Sequence, residues 1–272
     1  MAVNTRVVVC VLGVLGCAST ASATWSVIAL DRETGTLVVS SATCVPQQRL
    51  ETFPAADLRD IQAIVVPGAG VAAAQAGVDR TRANQKLIFA ELRKGTPPAE
   101  IIAMLQQDPA IDVRQFGIVD MQGRAAGFSG PKNGKVSLDR QGQVPGMRIH
   151  YSIQGNILRS DEVVEAAVAA FTAAGGTLTD RVMAAMEAAD AKGGDSRCTC
   201  DSEPKVDAPC DGKTSHVAYL LRAEKGDANG DSFNNGRYAM YISVTDKDIK
   251  PTENANPVKT LRLRYDAHRR TP

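Results

Sequence analysis

Strand-like and helix-like segments come in blocks along this sequence rather than in strict alternation. Strand patterns are followed by two helical patterns, more strands, two further helices and a last set of strands. The clearest strand pair is 24–30 and 36–43, joined by a turn at 31–35. Such blocks favour antiparallel sheets with helices packed outside them, because neighbouring parallel strands need a crossover connection. The predicted fold class is α+β.

The C-terminal part has weaker patterns. Strand candidates lie at 215–221 and 238–245, after a loop that carries three cysteines. The remainder reads as a polar tail in which Leu261–Tyr265 is a short apolar segment. We expect this part to be an extension packed on the main domain.

Residues 1–23 have the pattern of a cleaved secretory signal. Arg6 precedes an apolar run from Val7 to Gly16, and a run of small residues ends in an A-x-A site at Ala23. Cleavage there predicts a secreted or periplasmic protein that begins at Thr24. The alternative is a lipoprotein modified at Cys17, which the bulky Leu15 disfavours. The apolar run is too short to span a bilayer, which argues against an integral membrane protein.

Four cysteines remain after this cleavage, namely Cys44, Cys198, Cys200 and Cys210. An even number in an oxidising compartment predicts disulfide bonds, and the sequence leaves their pairing open. The alternative is a zinc site formed by the last three cysteines and His216. The single residue between Cys198 and Cys200 is too short a gap for the usual zinc spacing. No metal and no organic cofactor is predicted.

The charge balance excludes one large class of partner. Lys and Arg number 31, Asp and Glu number 30, and the formal net charge is +1. Aromatic residues make up only 4% of the chain. This composition offers neither a basic surface nor stacking platforms, so nucleic acid is not an expected partner.

Thr24 carries the chemistry that this sequence suggests most strongly. A terminal threonine has a hydroxyl nucleophile and a free α-amine on one residue. The amine has an ordinary pKa of about 7.7–8.0, so it can accept the hydroxyl proton near neutral pH. No distant histidine is required, and His150, His216 and His268 form no Ser-His-Asp pattern. The alternative is that signal peptidase simply left a small residue at this position.

Five segments of the chain carry a resemblance to a known family. In chain order they are Thr24–Gly35, Gly68–Gln75, Gln115–Gly123, Tyr151–Asn156 and Gly193–Arg197. Together they resemble a family of uncharacterised bacterial and archaeal proteins assigned to the N-terminal nucleophile (Ntn) hydrolase superfamily. The resemblance implies a four-layer αββα sandwich with the terminal threonine at one end of the central sheets. It also implies hydrolysis of an amide bond through an acyl-enzyme on Thr24, with a small-molecule or peptide-like amide as substrate.

The other site residues follow from the same segments. Asn156 is the leading side-chain candidate for holding the oxyanion, or else it only ends its strand. Gln75 and Gln154 are candidates for orienting the substrate, or else they satisfy backbone groups at strand ends. Asp195 and Arg197 form either a substrate-carboxylate site or a structural ion pair.

The expected organisation has three parts. Residues 1–23 are the signal peptide, 24–197 the Ntn-hydrolase-like domain, and 198–272 the cysteine-bearing loop and C-terminal extension. The rival to an enzyme is an exported binding domain that keeps the sandwich without turnover. The sequence leaves open the identity of the substrate and whether the protein forms a homo-oligomer.

Overall fold

A computed structural model describes residues 24–53 and 55–270, so the predicted signal segment lies outside the described residues. The described chain is a mixed α+β structure with two antiparallel sheets and seven α-helices. The strands are β1 (Thr24–Asp31), β2 (Leu37–Thr43), β3 (Ala63–Val66), β4 (Gly70–Ala76), β5 (Arg114–Asp120), β6 (Ala125–Ser129), β7 (Ser137–Gln143), β8 (Ile149–Asn156), β9 (Val217–Ala223) and β10 (Met240–Thr245). The helices are α1 (Gln47–Leu50), α2 (Leu58–Gln62), α3 (Ala83–Lys94), α4 (Pro98–Leu105), α5 (Glu162–Ala173), α6 (Leu178–Ala191) and α7 (Pro257–Arg270).

The two sheets divide the strands unequally. The six-stranded sheet has the order β10-β9-β2-β1-β8-β7, and the four-stranded sheet has the order β3-β4-β5-β6. Strand β1 is therefore central, with β2 on one side and β8 on the other. The predicted α+β class and antiparallel pairing are confirmed.

Both faces of β1 are buried, which explains why this segment is so continuously apolar. Trp25 and Val27 belong to the core between the six-stranded sheet and α5, α6 and α7. Ile28 and Leu30 belong to a second core between the two sheets. A third core packs the other face of the four-stranded sheet against α3 and α4. Each sheet thus has helices on its outer face and the other sheet on its inner face.

The chain after residue 197 is part of the same sheet as the residues before it. Strand β9 pairs with β2 over seven residues, from Leu37↔Ala223 to Thr43↔Val217. Strand β10 then pairs with β9. The extension therefore supplies the strands on one side of the six-stranded sheet.

Two elements differ from the sequence-based expectation. The presumed tail contains α7, a helix of 14 residues that buries Val258, Leu261 and Tyr265 on one face. Its other face carries Arg and Lys, which masked the apolar stripe. Strand β7 was not predicted because Ser137–Gln143 is polar; it is an edge strand that pairs only with β8.

No helix in the described ranges is long and apolar enough to cross a membrane.

Candidate active site

Thr24 lies at one end of the six-stranded sheet, between Thr43 and Asn156. Both neighbouring strands run antiparallel to β1, so the first residue of β1 meets the last residues of β2 and β8. Only 3% of the surface of Thr24 is exposed. The fold therefore places two of the predicted site residues, Thr24 and Asn156, side by side.

The side chain of Thr24 faces the interface between the two sheets. Its Oγ1 donates a hydrogen bond to Oγ1 of Thr43 at 3.2 Å. Ser26, two residues later and on the same face of β1, donates to Oε1 of Gln75 on the opposite sheet at 2.8 Å. A small cavity of about 20 Å³ lies beside the two threonines, and its other walls are apolar side chains together with Gln62 and Gln75.

Three buried amide side chains surround the main chain of Thr24. Nε2 of Gln75 donates to the carbonyl oxygen of Thr24 at 3.2 Å, and Nδ2 of Asn156 donates to the same oxygen at 3.4 Å. Both amides also donate to Oε1 of Gln115, at 2.6 and 3.0 Å. Gln115 in turn donates to the carbonyl of Gly155 at 2.8 Å. This network fixes where the first residue of β1 lies.

The network continues into the C-terminal part of the chain. Nε2 of Gln62 donates to Oε1 of Gln75 at 2.6 Å, and the hydroxyl of Tyr219 on β9 donates to Oε1 of Gln62 at 3.1 Å. Both residues are fully buried. Burial raises the pKa of Tyr219 well above its usual value, which keeps the phenol as a donor. Sequence reasoning missed Gln62, Gln115 and Tyr219; a polar residue within a buried apolar segment was the available signal.

We expect Gln115→Glu to destabilise the protein strongly. The substitution keeps the shape of the side chain but replaces the donating amide nitrogen, which faces the carbonyl of Gly155 and the hydroxyl of Ser129. A buried oxygen of the new glutamate would then face the carbonyl oxygen of Gly155 with no proton between them. The free energy of unfolding should fall by about 3 kcal/mol in urea denaturation. Gln122→Glu, at an exposed turn, is the matched control and should leave it nearly unchanged.

The remaining predicted site residues, Gln154, Asp195 and Arg197, lie around this centre, and Oε1 of Gln154 is buried without a partner among the described residues. Nε2 of Gln154 donates to the carbonyl of Ala73 on the other sheet at 3.3 Å. Asp195 is fully buried; its Oδ2 accepts from the backbone N–H of Cys44 at 3.0 Å, and Arg197 donates to both carboxylate oxygens. Asp195 and Arg197 therefore form an ion pair that also holds the chain just beyond Thr43.

The four cysteines form two disulfide bonds, Cys44–Cys198 and Cys200–Cys210. The first joins the end of β2 to the segment after Arg197, next to the candidate site. All three sulfurs of the zinc alternative are thus in disulfide bonds, Cys198 with Cys44 and Cys200 with Cys210. Two disulfides fit an oxidising compartment, such as the periplasm or the extracellular space.

His216 lies beside the Cys44–Cys198 disulfide and is only 1% exposed. Burial, together with the positive charges of Lys213 and Arg197, lowers the pKa of His216 from 6.5 to about 4. Its Nδ1 is 4.0 Å from the carboxylate of Asp246, which is too far for a hydrogen bond. His216 is therefore neutral at neutral pH and serves no charged role there.

This histidine predicts a loss of stability in mild acid. Below pH 6.5 the unfolded chain binds a proton at His216, whereas the folded chain does not until the pH approaches 4. The free energy of unfolding should therefore fall as the pH decreases through this window, by about 3 kcal/mol in total. Urea denaturation between pH 4.5 and 7 measures the slope. His216→Gln should flatten it, whereas the exposed His268→Gln should not.

A much larger cavity lies away from Thr24. It has a volume of about 630 Å³ and lies between the end of α6, the segment 193–199, the loop 211–214 and the start of α7. Asp195 and Cys198 are part of its wall. Size alone would favour this cavity as the functional site, but Thr24 does not line it.

The comparison with protein families decides the assignment of the chain. A model of the family of unknown function DUF1028 matches residues 24–203, more than half of the sequence. The chain is a DUF1028 protein. The DUF1028 match begins at Thr24 and ends before β9, so Tyr219 and the loop 211–214 lie after the matched region.

The fold of this DUF1028 chain is similar to that of a solved structure, the crystal structure of protein SPO2555 from Silicibacter pomeroyi. The TM-score is 0.63 and the sequence identity 21%, over 90% of this chain and 89% of that chain. A likeness at this identity establishes the fold. No curated protein matches the chain.

Proposed function

We propose that this DUF1028 protein is an exported Ntn-type hydrolase that cleaves an amide bond with Thr24 as its N-terminal nucleophile. One coincidence carries the proposal. Thr24 directly follows the predicted signal cleavage site, is the first residue of the family match, and lies in the central strand β1 between Thr43 and Asn156. The packing of helices on the outer face of both sheets supports an αββα sandwich of the Ntn type.

The proposed reaction needs no group beyond Thr24 and water. After cleavage behind Ala23, the α-amine of Thr24 accepts the hydroxyl proton while Oγ1 attacks the amide carbonyl. The C–N bond then breaks, and the departing amine takes the proton from the α-ammonium group. Water attacks the resulting ester in the same way, which releases the acid and restores the threonine.

The surrounding amides have a positioning role in this proposal. Gln75 and Asn156 both donate to the carbonyl oxygen of Thr24, so they orient the residue that carries the nucleophile and the base. For Asn156 to hold the oxyanion, its amide would have to leave this carbonyl or that of Gln115. Positioning uses contacts that already exist, and the oxyanion role stays a prediction. Gln154, Asp195 and Arg197 stay candidates for contacting the substrate.

The second candidate function is a non-catalytic exported binding domain. The observation that favours it is the cavity of about 630 Å³, which is far larger than the one at Thr24. In this case the buried site at Thr24 would be purely structural.

Two measurements on the exported protein separate these functions. N-terminal sequencing should find Thr24-Trp25 at the start of the mature chain. A β-lactone probe should then acylate Oγ1 of Thr24, because attack on the lactone carbonyl opens the ring, and peptide mass mapping should locate the adduct. A mature chain that begins elsewhere, or a Thr24 start without an adduct, would favour the binding domain.

A further inference from the structure

The large cavity has a lining that selects for a polar ligand. Its walls contain no aromatic residue and no aliphatic side chain larger than that of Ala191. Most of the lining side chains are charged or carry hydroxyl or amide groups. A small charged molecule would therefore find many hydrogen-bonding and charged partners in these walls.

Most charges in the wall are already paired. Glu187 is bound by Arg262 at 2.6 Å, Asp195 by Arg197 at 2.8 Å, and Asp211 by Lys259 at 2.7 Å. These pairs neutralise much of the wall, so the ligand is recognised by the groups that remain.

Asp190 is the acidic group that remains. It lies in the last turn of α6, and its Oδ1 accepts hydrogen bonds from the hydroxyl of Thr214 and, at 2.8 Å, from Nδ2 of Asn256. Oδ2 makes no hydrogen bond within the described part of the chain. One oxygen is thus held in place while the other is available to a donor. The C-terminal end of a helix carries partial negative charge, which adds to the attraction for a cation here.

Arg159 is the basic group that remains. The guanidinium of Arg159 has no ion pair or hydrogen bond among the described residues. The ammonium of the buried Lys213 donates instead to the carbonyl of Pro204 at 3.3 Å, outside this cavity. The cavity therefore combines a negative region at the end of α6 with the positive group of Arg159.

We propose that this cavity binds a zwitterionic amino compound, either a free amino acid or a short peptide with unblocked ends. The ammonium group lies at Oδ2 of Asp190, and the carboxylate lies at the guanidinium of Arg159. A volume of about 630 Å³ accommodates a ligand of this size. The loop 211–214 and α7 lie beyond the DUF1028 match, so the site goes beyond what the family shares. It is independent of the proposed hydrolase.

Isothermal titration calorimetry on the exported protein with Thr24→Ala tests this site, since that change prevents hydrolysis of the probes by Thr24. The probes are L-alanine, L-alanyl-L-alanine, N-acetyl-L-alanyl-L-alanine and L-alanyl-L-alanine amide. We expect an unblocked probe to bind, and blocking either end of the dipeptide to weaken binding at least tenfold. Tighter binding of alanine would identify a free amino acid, and tighter binding of the dipeptide a short peptide.

Two variants assign the ends of the ligand. Asp190→Asn should weaken binding of the dipeptide and of its amide, but not binding of the acetylated dipeptide. Arg159→Gln should weaken binding of the dipeptide and of its acetylated form, but not binding of the amide. Asp207→Asn and Arg237→Gln, both at exposed positions, are the matched controls and should change nothing. Arg159 is exposed, so its variant should fold even if that of Asp190 does not. Absence of binding at millimolar concentration, or equal binding of blocked and unblocked dipeptides, would overturn the proposal.

Discussion

Replacing Thr24 with alanine is expected to lower the rate of acylation by the β-lactone, and of any amide hydrolysis, by at least about a thousandfold. The substitution removes the nucleophilic oxygen and leaves the α-amine and the strand in place. Signal peptidase should still cleave before the small new residue. The rate of adduct formation, followed by intact mass, measures the effect directly.

Two further variants make this experiment specific. Thr24→Ser keeps the hydroxyl and should retain much of the reactivity. Thr172→Ala removes a hydroxyl that bonds only to its own helix, α5, and should leave the rate unchanged. If Thr24→Ala reacted as fast as the native protein, the nucleophile would be another residue and the proposed function would be wrong.

Removal of the Cys44–Cys198 disulfide should cause the largest loss of stability among the substitutions considered. This bond spans 154 residues of sequence and joins the end of β2 to the segment that leads into the C-terminal strands. In the chain-entropy description, a loop of this length stabilises the folded state by about 5 kcal/mol. The Cys44→Ala/Cys198→Ala double variant should therefore unfold at much lower urea concentration than the native protein.

The second disulfide provides the matched comparison. Cys200–Cys210 has a sequence separation of only 10, for which the same description gives about 3 kcal/mol. Cys200→Ala/Cys210→Ala should consequently be the milder double variant. If the two variants lost equal stability, loop length would not be the origin of the stabilisation.

The sequence predicted the parts of the fold whose hydrophobic pattern is local. Strand β1 was recognised because an apolar segment buried on both faces is continuous and is followed by a clear turn at 31–35. Edge strand β7 and helix α7 were missed for the opposite reason. Their solvent-facing residues are polar enough to obscure the few side chains that are buried, and only the neighbouring elements reveal which side that is.

The residues of the candidate site show the same division between local and long-range information. Thr24 is the proposed nucleophile on the sequence alone, because a cleavage pattern, a small hydroxyl residue and the start of a strand coincide at one position. Its partners depended on the tertiary structure. Gln62, Gln115 and Tyr219 are far apart in sequence and meet only where the two sheets face each other.

The pairing of the cysteines and the large cavity likewise depended on long-range contacts. Four cysteines allow several pairings, and Cys44 meets Cys198 only in the folded chain, where the backbone N–H of Cys44 bonds to the carboxylate of Asp195. Asp190 and Arg159 are unremarkable in the sequence and line one cavity because α6, α7 and two loops converge. A local sequence pattern determines a single helix or strand. A site built from several helices, strands and loops exists only once these are packed together.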